Sequence, residues 1–184
     1  MRCSVFIATS VDGFVAGPND ELDWLASVER PGEDYGYEAF KGTIDVLVMG
    51  RRTYEVVLGF PEWRYEGTPV LVLSKSLKDS DMRHGAERFV GSPTELVAEL
   101  RARGVKRAYI DGAAVIRSFL DARLVDDLTI SVIPVILGRG IRLFGDEALL
   151  KHDLVVEESR AFPSGLVQTV YQVRTSARER TEAT

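Results

Sequence analysis

The chain has 184 residues, a hydrophobic fraction of 45% and a charged fraction of 28%, values that exclude a wholly disordered chain and a coiled-coil rod. Its net charge of −5, from 23 Lys and Arg against 28 Asp and Glu, is opposite to the balance of a nucleic-acid-binding domain. The single cysteine, Cys3, excludes an internal disulfide, and the two histidines lie too far apart in the chain to favour a metal site.

The N-terminal apolar run is too short for a signal peptide, and Asp12 interrupts it. No stretch reaches the roughly 18 apolar residues that a membrane-spanning helix requires. We therefore expect a soluble cytoplasmic protein without a nucleic-acid or membrane partner. Residues 1–174 are expected to form one domain, and residues 175–184 (TSARERTEAT) a polar tail.

Short apolar runs alternate with helical patterns along most of the chain. The run at residues 45–49 (DVLVM) is nearly continuous, which is typical of a strand buried on both faces of a parallel sheet. The best-marked helix begins after Ser92, with Pro93 at its first position and Glu95 at its third, and stops at Gly104. The predicted strands are residues 3–8, 45–49, 70–73, 107–111 and 127–134; the other predicted helices are residues 33–41, 51–58 and 113–122.

The C-terminal part is rich in strands. Residues 154–160 and 166–174 are predicted to pair in antiparallel orientation through a turn near residues 163–165. The whole pattern predicts an α/β fold with a mainly parallel sheet and a C-terminal hairpin. Ligands of such sheets bind at the carboxyl ends of the strands, which directs attention to the junctions after Met49, Leu73 and Asp111.

The first junction, Gly50-Arg51-Arg52-Thr53, opens a helix directly after a strand. A helix N-terminus attracts anions, and a bound phosphate would explain two arginines that oppose the helix dipole. In the plainer alternative, the arginines pair with acids such as Glu55 or project into solvent.

The other junctions carry weaker signals. The small residues of Gly112-Ala113-Ala114 would let a ligand approach the backbone, or simply form a tight turn. A phosphate could be held by Ser74-Lys75, which otherwise form a polar loop. Between Gly138 and Gly140, Arg139 would meet an anionic substrate or remain solvated.

The order and spacing of these segments resemble the dihydrofolate reductase-like proteins. The matching segments are Ile7-Ala8, Asp12-Gly13-Phe14-Val15-Ala16, Met49 to Glu55 (MGRRTYE), Leu73-Ser74-Lys75 and Tyr109 to Ala114 (YIDGAA). The stretches 124–128 (LVDDL) and 134–140 (PVILGRG), with Leu143-Phe144, resemble the reductase domain of bacterial bifunctional riboflavin-biosynthesis enzymes. The resemblance covers residues 1–174, and nothing in the chain matches the zinc signature of the deaminase domain.

The resemblance implies a three-layer fold with a twisted eight-stranded sheet, a homodimer, and NADPH as the cofactor. It implies that Ala8, Val15 and Ala16 lie near the nicotinamide. The phosphates would contact Gly50, Arg51, Arg52 and Thr53, and the adenosine ribose with its 2′-phosphate would contact Leu73, Ser74 and Lys75. The pyrophosphate and the nicotinamide ribose would contact Gly112, Ala113, Ala114 and Val115.

Two positions depart from the family pattern. The Gly-Gly turn of the family is Gly112-Ala113 here, and the alanine methyl narrows the space beside the cofactor. The carboxylate of dihydrofolate reductases falls near Gly36, so Asp34 is the preferred candidate acid, with Glu38 and Asp23 as further options. In the plainer alternative, Asp34 is a helix-start or solvated acid.

The sequence therefore predicts an NADPH-dependent reductase of a pyrimidine- or pterin-like heterocycle, resembling 5-amino-6-(5-phosphoribosylamino)uracil reductase. Trp24 and Tyr37 are predicted to wall the ring pocket, unless they belong to the ordinary core. The alternatives are an NADPH-binding dimeric module without turnover, with a sensor or structural role, and dihydrofolate reductase proper.

Overall fold

A computed structural model describes residues 1–145 and 150–174, so the predicted tail at 175–184 lies outside the described residues. The strands are β1 (Arg2–Ser10), β2 (Phe14–Ala16), β3 (Val46–Gly50), β4 (Val70–Leu73), β5 (Glu87–Phe89), β6 (Arg107–Asp111), β7 (Asp127–Ile133), β8 (Ile141–Arg142), β9 (Leu154–Ala161) and β10 (Val167–Val173). The α-helices are α1 (Tyr37–Lys41), α2 (Arg51–Leu58), α3 (Pro93–Ala102) and α4 (Ala113–Asp121).

One sheet of eight strands organises the fold, in the order β5-β4-β3-β6-β1-β7-β10-β9. Every neighbouring pair from β5 to β7 is parallel, whereas β10 is antiparallel to both β7 and β9. The predicted mainly parallel sheet with a C-terminal hairpin is therefore confirmed. The carboxyl ends of β1, β3, β4 and β6 meet at one edge, which is where the candidate site forms.

Alternating residues of the central strands pack against helices on both faces. On one face, Val46 and Val48 belong to the same core cluster as Leu96 of α3 and Phe119 of α4. On the other face, Leu47 and Met49 cluster with Tyr54 and Val57 of α2. Burial on both faces is the reason that β3 is almost continuously apolar.

The predicted start of α3 is confirmed by its hydrogen bonds. The Glu95 N–H donates to Ser92 Oγ at 3.2 Å, and the Ser92 N–H donates to Glu95 Oε2 at 2.7 Å. This reciprocal cap, with Pro93 at the first helical position, satisfies backbone groups that a helix end otherwise leaves free.

The helix predicted at residues 33–41 is shorter in the structure and begins only at Tyr37. Gly32, Tyr35 and Gly36 have φ values of 78°, 55° and 81°, which a right-handed helix does not contain. The prediction counted the polar residues before Gly36 as helix, although they form turns.

Several short elements were not predicted from the sequence. They are the two-stranded antiparallel sheet of β2 and β8, the edge strand β5, and the 3₁₀ helices at Asp23–Val28 and Asp79–Asp81. The predicted strand at 127–134 stops at Ile133, one residue before Pro134. The elements that were not predicted are two to six residues long, which is too short to show a hydrophobic period.

Within residues 1–145 and 150–174, no helix has the length and apolar character to cross a bilayer. The same residues contain no group of three or more His, Cys, Asp or Glu side chains that would fit a metal ion. The Cys3 thiol is buried, and that burial raises its pKa to about 12, so the thiol stays protonated at neutral pH.

Candidate active site

Two cavities lie side by side at the carboxyl edge of the sheet. The first, here called the main cavity, has a volume of about 650 Å³ and lies over the ends of β1, β3, β4 and β6. The second, here called the adjoining cavity, has a volume of about 670 Å³ and lies beside α1 and β7. Both volumes are within the range of small-molecule sites. Phe6, Ala8 and Leu25 line both cavities, so two ligands would meet there.

Two helix N-termini open into the main cavity. The N-cap residues are Gly50 for α2 and Gly112 for α4, and neither helix has a side-chain cap. Residues 50–53 and 112–115 all line the cavity. Free N–H groups and the positive ends of two helix dipoles make this wall suited to phosphate groups.

The structure brings together nearly all the residues predicted to bind the cofactor. The residues lining the main cavity are Ala8, Val15, Ala16, Gly50, Arg51, Arg52, Thr53, Leu73, Gly112, Ala113, Ala114 and Val115. Ser74 and Lys75 follow β4 outside its lining. Ser74 is buried and its Oγ accepts the N–H groups of Ser76 and Leu77 at 3.3 and 3.1 Å, whereas Lys75 is exposed.

Each of the two arginines in the first turn of α2 is paired with an acid. Arg51 Nε lies 2.7 Å from Glu55 Oε1, and Arg52 Nε lies 2.6 Å from Asp20 Oδ1. Arg51 also donates to Ser76 Oγ at 3.2 Å. Both arginines are exposed while lining the cavity. Exposed ion pairs are weak, so these pairs would not prevent the arginines from contacting a phosphate.

The turn that departs from the family pattern is tightly packed. Gly112 has a φ of 87°, and a Cβ at this position would lie 2.2 Å from Thr53 Oγ1. The Gly112–Ala113 peptide bond is trans, and Ala113 is buried. Glycine is therefore required at 112, both for the left-handed backbone and for the close approach of α2 and α4.

Asp12 holds the loop that carries Val15 and Ala16 against the β8 loop. Its carboxylate accepts hydrogen bonds from Ser10 Oγ at 2.6 Å, Leu137 N–H at 3.1 Å and Gly138 N–H at 2.7 Å. The Ser10 hydroxyl and these backbone N–H groups lower the pKa of Asp12 to about 2. The contacts fix one wall of the main cavity.

Asp111 is an acid in the main cavity that the sequence analysis did not select. It ends β6 and accepts the Gly112 N–H at 2.8 Å. Burial raises the pKa of Asp111 to about 6, and the hydrogen bond from the Gly112 N–H only partly offsets that rise. A carboxyl with this pKa exchanges protons near neutral pH, which is the property of a general acid.

Three tyrosines surround Asp111. Burial raises the pKa of Tyr37 to about 12, and the Asp111 charge is the next cause; the pKa of Tyr65 is also raised, by the same two causes. The Tyr109 hydroxyl donates to the Phe6 carbonyl at 2.8 Å. Since Tyr37 lines the adjoining cavity and Asp111 the main one, this cluster lies between the two.

Asp34, the predicted acid, lines the rim of the adjoining cavity and is exposed. Its two carboxylate oxygens accept the N–H groups of Gly36 at 3.0 Å and Glu38 at 2.9 Å, which lowers its pKa. This geometry matches the plainer alternative of a helix-start acid. Glu38 and Asp23, the other options, line neither cavity.

The predicted substrate residues are separated by the fold. Tyr37 lines the adjoining cavity. Trp24 lines neither cavity and is buried with Val28 and Phe162, which agrees with its core alternative. Among the described residues, none pairs with its Nε1 in a hydrogen bond. Arg139 is exposed in the loop before β8 and also lines neither cavity.

Comparison with known proteins assigns the chain to a family. The family model described as the RibD C-terminal domain matches residues 3–168, and the chain belongs to this family of reductase domains. YwjB, an uncharacterized protein of Bacillus subtilis (strain 168), is 32% identical over 141 residues, covering 76% of this chain and 80% of YwjB.

Solved structures extend the similarity to the fold. A protein of Shewanella sp. PV-4, named for riboflavin biosynthesis, is 37% identical with a TM-score of 0.87, covering 95% of this chain and 100% of its own. The Thermotoga maritima deaminase and 5-amino-6-(5-phosphoribosylamino)uracil reductase has 14% identity and a TM-score of 0.69, covering 94% of this chain and 56% of its own. Dihydrofolate reductase of Enterococcus faecalis has 18% identity and a TM-score of 0.66, and the match covers 95% of this chain and 97% of that reductase. The fold is therefore the predicted dihydrofolate reductase-like α/β fold.

Proposed function

We propose that this member of the RibD C-terminal domain family is an NADPH-dependent reductase that transfers a hydride to a pyrimidine- or pterin-like heterocycle. The observation that carries this proposal is the meeting of the two cavities at Phe6, Ala8 and Leu25. A dinucleotide bound in the main cavity would lie next to a heterocyclic substrate bound in the adjoining cavity. Such contact between donor and acceptor accounts for much of the acceleration in hydride transfer.

The residues of the main cavity fit a dinucleotide phosphate. The N-termini of α2 and α4 would bind the pyrophosphate, and Arg52 would add a charge at its edge. From the first turn of α2, Arg51 donates to Ser76 Oγ in the segment that follows β4, and this segment, with Lys75, would hold a 2′-phosphate. The bound nicotinamide supplies the hydride, and the apolar walls at Ala8 exclude water from it.

Asp111 is the proton donor in this proposal, in place of Asp34. A raised pKa keeps a share of Asp111 protonated near neutral pH, and Asp111 lines the main cavity, which shares Phe6 and Ala8 with the adjoining one. Asp34 remains the second candidate, because it lines the adjoining cavity itself. The position of the acid also separates the proposal from dihydrofolate reductase proper, whose carboxylate would fall near Gly36.

The test begins with titrations of NADPH and NADH, followed by quenching of Trp24 and Trp63 fluorescence and by thermal shift. NADPH at a hundredfold excess over Kd is expected to stabilise the fold by about 2.7 kcal/mol. Lys75→Gln is expected to weaken NADPH binding more than NADH binding, whereas Lys78→Gln, three residues further along, serves as the matched control. Equal binding of the two cofactors, or binding of neither, would contradict the cofactor assignment.

Turnover is measured next, as loss of the reduced nicotinamide signal with pteridine and aminopyrimidine acceptors. Tight NADPH binding without hydride transfer to any acceptor would favour the alternative of a binding module without turnover. Asp111→Asn is expected to lower turnover while leaving the Kd for NADPH within about twofold, because binding rests on the helix N-termini.

The edge of the sheet supports a homodimer. All eight residues of β9 are exposed, and Leu154, Val155 and Val156 are between 37% and 58% exposed. An edge strand with an apolar surface is a template for pairing with another chain, and a second copy of this protein is the proposed partner.

A further inference from the structure

The rim of the adjoining cavity carries an excess of negative charge. Glu29, Glu33 and Asp34 line it, and Arg30 is the cation among its lining residues. Within the part of the chain that the structure describes, none of these three carboxylates has a salt-bridge partner. The rim therefore has a surplus of two negative charges towards anything that enters.

Arg30 offsets one of the three rim carboxylates and leaves two of them uncompensated. Its guanidinium donates to the Glu29 carbonyl oxygen at 2.7 Å, so one of its donors is used within the rim itself. Arg160, on a neighbouring strand, lies 4.5 Å above the Phe162 ring and outside the cavity lining. Arg64, which acts on the Tyr37 hydroxyl, also lies outside that lining.

The charges are held in place by contacts with the C-terminal strands. The Tyr35 ring meets the Phe162 ring edge-on at 4.9 Å, and Gln168 donates to the Tyr35 carbonyl oxygen at 3.0 Å. The Tyr35 hydroxyl donates to the Val28 carbonyl oxygen, which closes the segment on itself. A segment tied at both ends keeps its carboxylates near the cavity mouth.

The interior of the cavity has the opposite character. Its walls include Phe6, Val28, Ile133 and Leu166, with Ser131 as a buried polar group. The Ser131 hydroxyl accepts a hydrogen bond from Gln168 at 2.9 Å. Such a cavity fits a flat heterocyclic ring, and it offers no cluster of donors for a phosphate.

From this we infer that the substrate of the adjoining cavity is a heterocycle without a phosphate group, neutral or cationic at its exposed end. The inference rests on the proposed function, which assigns this cavity to the substrate. It separates this chain from a reductase of a phosphoribosyl substrate, since a phosphate dianion would meet like charges at the rim. At low ionic strength, the rim is expected to weaken binding of a phosphorylated ligand by about tenfold.

The test uses two ligands that differ in one phosphate: 5-amino-6-(5-phosphoribosylamino)uracil and its dephosphorylated form. Calorimetry measures their Kd values on the full-length protein saturated with NADP⁺, so that no turnover occurs. We expect the dephosphorylated form to bind about tenfold more tightly, and the difference to shrink at about 1 M salt, where charges are screened within about 3 Å.

Neutral variants test the origin of the difference. The double variant Glu29→Gln and Glu33→Gln is expected to bring the two Kd values together, and Arg30→Gln to move them further apart. The matched control is the double variant Glu62→Gln and Glu66→Gln, which removes the same charge from a separate surface cavity and should leave the ratio unchanged.

Tighter or equal binding of the phosphorylated form would overturn the inference, and so would a ratio unaffected by the Glu29 and Glu33 changes. If NADPH binds but neither ligand does, the assignment of this cavity to such substrates is wrong. Failure of the proposed function is seen separately, as the absence of NADPH binding, because that titration does not involve the rim.

Discussion

Replacing Asp111 with asparagine should make the protein more stable and less active at pH 7. Burial raises the pKa of this carboxyl from 3.8 to about 6, so its ionised form is less favourable in the folded chain than in the unfolded chain. That difference corresponds to about 3 kcal/mol at neutral pH. Asparagine keeps an oxygen that accepts the Gly112 N–H but carries no charge.

The sign of the pH dependence follows from proton binding. Between pH 3.8 and about 6 the folded chain binds the Asp111 proton more tightly than the unfolded chain does. The free energy of unfolding that this group contributes therefore falls as the pH rises through that window, and stays low above it. The Asn variant lacks this loss, so it gains about 3 kcal/mol at pH 7 but less than about 1 kcal/mol at pH 4. For a chain of this size, that gain is about 6–12 °C in Tm.

Urea denaturation between pH 4 and pH 8 measures this difference directly. The control is Asp34→Asn, whose carboxyl has a lowered pKa because of the Glu38 and Gly36 N–H groups. Stability from such a group is present above its unfolded pKa and is lost as the pH falls through the folded one, so the Asp34 variant should lose stability at pH 7 instead. Turnover of both variants is measured beside the denaturation curves.

The reasoning fails if Asp111→Asn is less stable than the unmodified chain at pH 7, or if the difference between them does not change with pH. A more stable Asp111 variant with full turnover would remove Asp111 from the proposed chemistry while leaving its burial intact. A stable variant with turnover lost across the whole pH range, and with unchanged NADPH binding, would support its role as the proton donor.

Further predictions concern the helix N-termini at the main cavity and the exposed edge strand β9. Gly112→Ala should lower the free energy of unfolding by about 2–4 kcal/mol, because the backbone is left-handed and the new methyl would meet Thr53 of α2. Gly104 is also left-handed, at φ 80°, but has open space around it, so Gly104→Ala should cost only about 1–2 kcal/mol. Urea denaturation measures both values. Arg52→Gln should weaken NADPH and NADH equally, by about tenfold in fluorescence titrations, because the pyrophosphate is common to both. Val156→Glu should give a monomer by light scattering, whereas a dimer that persists in the variant would place the interface elsewhere.

The sheet and its helices were predictable because their signals are local. An uninterrupted apolar run such as 45–49 indicates a strand buried on both faces, and the Ser92–Glu95 cap with Pro93 indicates a helix start. The two helix N-termini at the main cavity were predictable for a related reason. Glycine and arginine directly after a strand combine a helix N-terminus with a cation at a known edge of the sheet.

The smaller elements were not predictable from local pattern, because they depend on distant partners. The pairing of β2 with β8 brings Ala16 next to Ile141, and Asp12 reaches across to Gly138. The two strands have three and two residues, which is too short to give a recognisable alternation of apolar and polar residues. The late start of the helix predicted at residues 33–41 has a similar cause, since Tyr35, which precedes it, has a left-handed conformation and contacts Phe162 and Gln168.

The two candidate acids show what sequence order alone cannot supply. Asp34 was selected by its position along the chain, yet a carboxylate bound to two backbone N–H groups at the surface loses its proton readily. Asp111 ends β6 at one of the strand–helix junctions that the sequence predicts to bind ligands, but only the small residues after it match a binding pattern. Its proton affinity depends on burial beside Tyr109, Tyr65 and Tyr37, which come from three different parts of the chain. The proposed reaction uses an acid that keeps its proton near neutral pH, and burial at a strand end gives Asp111 this property without a dedicated loop. For this reason the pH dependence of the Asp111 variant tests the site more directly than any further alignment of its loops.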